Sequence, residues 1–88
     1  MKTIYKKRAL KELANIPSEL RQPIEHFIFE TLPELKNIYE NNKIESLKGY
    51  SNFYKVRFGN FRIGIKKEGE NIIVERILHR KEIYKYFP

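Results

Sequence analysis

The sequence predicts an α+β fold of two layers, in which an N-terminal strand and two helices pack on one face of an antiparallel sheet. Apolar residues recur with helical spacing over residues 7–32, whereas residues 53–64 alternate between apolar and polar side chains. A third observation is the unbroken apolar run Ile72-Ile73-Val74, which fits a strand buried on both faces. The predicted order is therefore β-α-α-β-β-β, with a short C-terminal tail after the last strand.

The N-terminal half holds the predicted helical layer. After a short strand over residues 2–6, one helix is predicted over residues 7–14 and a second from about residue 18 to the break at Leu32-Pro33. The residues expected to face inward are Ala9, Leu10, Leu13, Leu20, Ile24, Phe27 and Ile28. Residues 33–42 have the spacing of one further helical turn before the chain enters the sheet.

The start of the second helix has alternative interpretations. Ser18 suits an N-terminal cap, whereas Pro17 or Pro23 suits the first helical turn. The segment that leads into the sheet contains Leu47 as the expected apolar anchor and Gly49 at a sharp bend.

A tight hairpin around Gly59-Asn60 is the clearest local pattern. A two-residue loop with glycine first suits a type II′ turn, which sets Arg57 opposite Arg62 and Lys55 opposite Gly64. Since like charges opposite one another destabilise a sheet, these cations predict an anionic ligand, and Gly64 leaves room for it. The opposite, apolar face consists of Tyr54, Val56, Phe58, Phe61, Ile63 and Ile65.

Composition limits the function classes. The 88 residues carry a net charge of +7, and residues 49–88 hold nine lysines and arginines against four glutamates, with tyrosine and phenylalanine between them. This mixture favours nucleic-acid contact, although a basic face that only keeps the domain soluble is the alternative. All 11 acidic residues are scattered glutamates and only two histidines are present, so no metal site is predicted. Without cysteine, signal peptide or membrane span, a cytoplasmic location is expected.

The last strand is expected over residues 72–78. The pattern does not decide whether Glu75 or Arg76 faces the basic side of the sheet. His79 follows the strand and is either a proton carrier in a site or a strand-end histidine with one backbone hydrogen bond. In the tail, aromatic side chains either pack onto the sheet or stack on a nucleotide.

In order and spacing, several segments resemble the RelE/ParE toxin superfamily, and more closely its RelE branch of mRNA endonucleases. The segments are Leu47-Lys48-Gly49, Tyr54-Lys55-Val56-Arg57, Gly59-Asn60-Phe61-Arg62-Ile63, His79-Arg80-Lys81-Glu82-Ile83-Tyr84 and the helix Arg8-Ala9-Leu10-Lys11-Glu12-Leu13. The likeness extends over nearly the whole chain and implies one RelE-like toxin domain over residues 1–88. It also implies a ribosome-dependent endoribonuclease of a type II toxin–antitoxin system, which cuts mRNA in the A site without a metal or other cofactor.

The resemblance implies five catalytic residues. Lys55 activates the ribose 2′-hydroxyl or acts as a general base, and Arg57 stands where the bacterial prototype has a second lysine. Arg62 binds the scissile phosphate, Arg80 stabilises the leaving 5′-oxygen, and Tyr84 orients or stacks on the nucleotide. The expected products are a 2′,3′-cyclic phosphate and a free 5′-hydroxyl.

Further residues are candidates for the same site. Tyr86 is close enough in sequence to replace Tyr84, and His79 is a possible acid or base. Phe53, Lys66 and Lys81 are expected to contact RNA. Among the possible stacking platforms Tyr50, Phe53 and Phe61, Phe61 is assigned to the core, and Phe53 is the better candidate because it lies on the basic face.

Two other functions are consistent with the sequence. A ParE-like toxin would inhibit DNA gyrase without nuclease activity, and an RNA-binding module would bind without turnover. For the toxin interpretations, the expected partner is an acidic, partly disordered antitoxin that covers the basic face or displaces the tail, in a complex that is oligomeric.

Overall fold

The computed structural model describes residues 1–88 and contains one five-stranded sheet with helices against it. In chain order the elements are β1 (Lys2–Tyr5), α1 (Lys7–Ala14), α2 (Ser18–His26), α3 (Leu32–Glu34), β2 (Ile44–Ser46), β3 (Phe53–Phe58), β4 (Phe61–Glu68), β5 (Asn71–His79) and α4 (Ile83–Tyr86). A π-helical turn over Phe27–Thr31 joins α2 to α3, and a 3₁₀ turn over Ile38–Glu40 precedes β2. None of the helices has the length and apolar character needed to cross a membrane.

The sheet confirms the α+β class and corrects its details. Its strand order is β1-β5-β4-β3-β2, and β1 is parallel to β5, so the sheet is mixed rather than antiparallel. The parallel pair arises because the chain leaves β1 through the helices and returns to the opposite edge before it builds the meander. The short edge strand β2 was not predicted, because three residues are too few to show alternation.

The β3–β4 hairpin has the predicted register. Phe58 pairs with Phe61, Arg57 with Arg62 and Lys55 with Gly64. Gly59 has a φ of +56°, as the first central residue of a type II′ turn requires.

The main core lies between the sheet and α1–α3. It contains the predicted inward residues Ala9, Leu13, Ile24, Phe27 and Ile28 together with Val56, Ile63, Ile65 and Val74 of the sheet. The prediction was wrong for Leu10 and Leu20, which are 38% and 53% exposed. Each helix is short and touches the sheet along one narrow line, so a residue at the edge of its apolar stripe stays in water.

The second helix also differs from the prediction. The helical run passes from α2 through the π-helical turn into α3 and ends at Glu34 instead of breaking at Leu32-Pro33, because Pro33 falls in the first turn of α3, where proline is tolerated. Ser18 is the first helical residue rather than a cap, Pro17 precedes it in an extended conformation, and Pro23 lies inside the helix rather than in its first turn.

A β-bulge decides which side of β5 faces the basic surface. Arg76 pairs with Gly64 while Val74 pairs with Ile65, so Glu75 is an extra residue in β5. Arg76 therefore lies on the same face as Lys55, and Glu75 contacts Arg8 of α1 at 3.1 Å.

The basic face is not as open as the sequence suggested. The tail forms α4 and packs across this face, where Ile83 and Phe87 join Leu47 in a second apolar cluster. The space left by Gly64 is filled by Phe87, since a Cβ at position 64 would lie 2.8 Å from three atoms of that ring.

Replacing Gly64 with alanine is expected to lower the free energy of unfolding by about 1–3 kcal/mol, because the added methyl group overpacks a buried ring. Urea denaturation of the wild-type protein and Gly64→Ala measures the difference.

The matched control repeats Gly64→Ala in a Phe87→Ala background, where the methyl group has space. The cost of the glycine substitution should fall there, and an equal cost in both backgrounds would show that the Phe87 contact is not its cause.

Candidate active site

Three residues form one row across the middle of the basic face. Lys55 on β3 pairs with Gly64 on β4, and Gly64 pairs with Arg76 on β5. With neighbouring strands about 4.8 Å apart, the outer two backbones lie about 10 Å from each other. The centre of the row has no side chain, so an apolar group can reach the sheet between two cations.

The tail helix places one aromatic side chain over each position of this row. Phe87 covers Gly64, the Tyr84 hydroxyl lies 3.0 Å from the Lys55 Nζ, and the Tyr86 ring centroid lies 5.1 Å from the Arg76 guanidinium carbon. Helical spacing explains the arrangement, because Ile83 and Phe87 are four residues apart and turn to the same buried side. Tyr84 and Tyr86 then fall on the two flanks, where they are 60% and 54% exposed.

A cleft of about 350 Å³ opens beside Lys55 and Tyr84. Its lining consists of Leu47, Lys48, Tyr50, Lys55, Tyr84, Phe87 and Pro88. Two lysines and two tyrosines thus surround a space whose floor is apolar, a combination that suits a phosphate with an attached base. Sequence reasoning did not place Lys48 in the site, although it lies in the segment Leu47-Lys48-Gly49 that carried the family resemblance.

Arg57 continues the basic face along β3. Its Nε lies 3.6 Å from Glu45 Oε1 on the edge strand β2, and both side chains are about half exposed. Glu45 therefore borders the basic face. The hairpin pattern contained no acidic residue there, and the sequence did not reveal β2, the strand that carries Glu45. Such an exposed pair is weak, so an incoming phosphate can replace the carboxylate.

Arg62 and Arg80 both bind backbone groups of the β3–β4 turn. The Nη1 of Arg62 donates to the carbonyl oxygens of Gly59 at 2.8 Å and Phe61 at 2.9 Å, which holds its guanidinium beside the turn. The backbone N–H of Arg80 donates to the Asn60 carbonyl at 2.7 Å and fixes the start of the tail beside the same turn.

His79 lies on the other side of the sheet from these cations. It pairs with Phe61, whose ring it meets edge-on at 5.7 Å between centroids. Its Nδ1 accepts the backbone N–H of Lys81 at 3.1 Å, as in the strand-end interpretation of this histidine.

The predicted RNA-contacting residues lie around the tail. Phe53 is partly buried against Phe87, with 5.7 Å between ring centroids, so its ring supports the tail helix instead of lying open for stacking. Lys66 lies above the Phe53 ring and 3.2 Å from Glu68, while Lys81 is exposed at the end of β5.

Burial raises the pKa of the Tyr54 hydroxyl, and the neighbouring Tyr39 raises it further. Tyr54 belongs to the main core, so its hydroxyl stays protonated on the side of the sheet away from Lys55.

Comparison with known proteins gives the family. A family model described as the ParE toxin of type II toxin–antitoxin systems matches residues 3–84. Toxin RelE3 of Methanocaldococcus jannaschii is 42% identical over 90 residues, which cover 100% of both chains. The chain belongs to the RelE/ParE toxin superfamily.

Solved structures of the superfamily have the same fold. A RelB–RelE antitoxin–toxin complex from Methanococcus jannaschii matches with a TM-score of 0.76 and 40% identity, covering 97% of this chain and 99% of that one. A mutant of Escherichia coli toxin RelE in the free state matches with a TM-score of 0.70, covering 97% of this chain and 88% of that one. Its identity is 19%, so this second likeness concerns the fold alone.

In this RelE/ParE toxin, Lys55→Met and Arg57→Met should each weaken binding of a single-stranded DNA oligonucleotide, used as a polyanion that offers no 2′-hydroxyl. Each lost phosphate contact should reduce the slope of log K against log salt concentration by about 0.7. Fluorescence anisotropy at several salt concentrations measures this slope.

Lys36→Met is the matched control, because it removes the same charge outside the basic face and the cleft. If it reduced the slope as much as Lys55→Met, net charge rather than this site would govern binding.

Proposed function

We propose that this toxin is an endoribonuclease that cuts mRNA in the ribosomal A site and so inhibits translation. The observation that carries the proposal is the contact of Lys55 with Tyr84 beside the cleft, with Arg57 on the same face of the same strand. A lysine and an arginine two residues apart on a strand lie about 7 Å apart on the same face, so they can contact neighbouring phosphates of one nucleic-acid strand.

The reaction is an internal transfer at phosphorus. The ribose 2′-hydroxyl loses its proton, its oxygen forms a bond to the adjacent phosphorus, and the bond from phosphorus to the 5′-oxygen breaks. The leaving oxygen takes up a proton. The products are a 2′,3′-cyclic phosphate and a 5′-hydroxyl, and no metal or other cofactor takes part in this sequence.

The cations act mainly by stabilising charge. Negative charge grows on the phosphate oxygens in the transition state, and fixed donors aimed at it are worth about 10²–10³ in rate each. Lys55 activates the 2′-hydroxyl, Arg57 and Arg62 hold the phosphate, and Arg80 stabilises the leaving oxygen. The bonds of Arg62 to backbone carbonyls hold its guanidinium in place without neutralising it.

The tyrosines orient the RNA. Tyr84 directs the Lys55 ammonium through its hydroxyl and offers its exposed ring to a base, and Tyr50 lines the opposite side of the cleft. Lys66 and Lys81 attract the strand on either side of the cut. Tyr86 faces Arg76 and His79 faces Phe61, so neither takes part in the chemistry.

The same set of residues supports the proposal that the toxin depends on the ribosome. The side chains around the cleft supply charge and stacking, but the sheet face is shallow and does not by itself hold the 2′-oxygen in line with the bond that breaks. Because orientation contributes a large part of such rate enhancements, the A site supplies the missing alignment of the mRNA. The toxin therefore acts in the cytoplasm.

The partner that neutralises the toxin is an acidic antitoxin from the same system. The related RelE chains from Methanococcus jannaschii and Escherichia coli were solved in complexes with RelB. The basic face, which an acidic segment fits by charge, is the surface of this chain that such a partner covers.

Gyrase inhibition is the second candidate function. The family model that matches residues 3–84 is described as a ParE toxin, which favours this alternative. A gyrase inhibitor needs no cations at a cleft, so the two functions respond differently to substitutions there.

Arg80→Ala is expected to lower the cleavage rate of ribosome-bound mRNA by about 10²–10³, because the leaving oxygen loses its positive donor. Mapping of mRNA 5′ ends in a reconstituted translation reaction measures the rate.

Lys36→Ala serves as the control with equal charge loss outside the site and should cut normally. Intact mRNA together with reduced DNA supercoiling would reject the nuclease proposal in favour of gyrase inhibition.

Isothermal titration calorimetry with the product of the neighbouring open reading frame should give tight binding whose affinity falls with added salt, since an acidic segment meets the basic face. Arg57→Met should weaken this binding more than Lys36→Met does. No heat of binding at micromolar concentrations would remove the antitoxin from the proposal.

A further inference from the structure

We infer that Arg76, held by Glu12, is a positioning residue for Tyr84. Through the ring of Tyr86 it fixes the rotation of α4 on the sheet, and this rotation keeps the Tyr84 hydroxyl against Lys55. The test of this inference by RNA cleavage rests on the proposed nuclease function, whereas the test by NMR does not.

The pair of Glu12 and Arg76 is rigid. Glu12 Oε2 accepts from the Arg76 Nε at 3.0 Å and from its Nη2 at 2.5 Å. The side chains are only 15% and 16% exposed, so water screens the pair little. The other carboxylate oxygen, Oε1, accepts the backbone N–H of Ile77 at 3.0 Å. The carboxylate is thereby fixed to α1 and to the strand at the same time.

This anchor lies where β5 pairs with β4 on one side and has no strand on the other. The pairing of β1 with β5 ends at Tyr5 and Val74, and α1 borders the remainder of β5. Glu12 takes the place of a neighbouring strand by accepting the N–H of Ile77. Arg76 is consequently held in a fixed position in the row that also contains Gly64 and Lys55.

The tail helix needs this contact because it is only four residues long. So short a helix is unstable on its own, and its position comes from packing. Ile83 and Phe87 attach it along one line, which leaves rotation about that line free. Contacts on both flanks remove this freedom: the Tyr84–Lys55 contact on one side and the Tyr86–Arg76 contact on the other.

The chemistry of the second contact is specific. The guanidinium carbon of Arg76 lies 5.1 Å from the Tyr86 ring centroid, within the range of a cation–π interaction. A planar guanidinium can bind a carboxylate through its edge and an aromatic ring through its face, which a lysine ammonium cannot do. The Tyr86 hydroxyl has no partner in the structure, so the ring is the part of Tyr86 that matters.

The first test follows the Tyr84 ring by NMR in protein with ¹³C-labelled tyrosine, with the resonance assigned from Tyr84→Phe. Tyr86→Leu and Arg76→Lys should both shift the Tyr84 resonance, whereas Tyr86→Phe, which retains the ring, should leave it in place. Lys85→Ala, an exposed change in the same helix, is the control and should also leave it in place. An unmoved Tyr84 resonance in Tyr86→Leu would overturn the inference.

The second test uses cleavage of ribosome-bound mRNA. Tyr86→Leu should lower kcat by about 10–100-fold with little change in KM, as expected when a reacting group is misplaced by about 1 Å. In a Tyr84→Leu background the same substitution should have almost no further effect, because the residue it positions is gone. Equal losses in both backgrounds would show that Tyr86 acts only through stability and would overturn the inference.

The two tests separate this inference from the proposed function. If the wild-type toxin cuts no mRNA, the nuclease proposal fails, and the resonance experiment alone decides whether Arg76 and Tyr86 position Tyr84.

Discussion

The absence of a side chain at Gly64 is the constraint on which the rest of the site depends. Because Gly64 in the middle of the basic face has no side chain, the Phe87 ring can lie on the sheet. This contact sets the distance between α4 and the sheet. The spacing of the helix then carries Tyr84 to one side and Tyr86 to the other. A single methyl group in the centre of the row would lift all three aromatic side chains away from the strands, so one backbone position determines the geometry of the whole cleft.

The cations of this face fall into two kinds, which their partners distinguish. Arg76 is paired with a carboxylate in a nearly buried contact, so its charge is neutralised and its role is to hold structure. Lys55 instead has a neutral hydroxyl as its partner, and Arg62 has two backbone carbonyls. These partners fix the direction of the side chains while leaving their positive charge uncompensated. A site for a polyanion needs this second kind, whereas a structural ion pair needs the first.

The sequence predicted the local features well, because they depend on neighbouring residues. Alternation and turn chemistry gave the register of the hairpin, and helical spacing gave the bounds of α1. The sequence did not predict features that depend on contacts between distant parts of the chain. The bulge at Glu75 that turns Arg76 onto the basic face arises from pairing with β4, and the edge strand that brings Glu45 beside Arg57 is three residues long. Phe87 lies on Gly64 although the two residues are more than 20 positions apart in the chain. Local periodicity does not predict such a contact.

The tail is the part of the site that a binding partner can displace most easily. It is held by two buried side chains and two flank contacts, so its local stability is low compared with that of the sheet below it. A partner that offered its own apolar side chain to the surface around Gly64 and its own carboxylates to the cations would replace every contact that α4 makes. The sheet and its register would stay intact, since the main core lies on the opposite face. Tyr84, Phe87 and Pro88 would leave the cleft together, and the space beside Lys55 would lose one wall. A partner that covered the basic face in this way would therefore also dismantle the cleft.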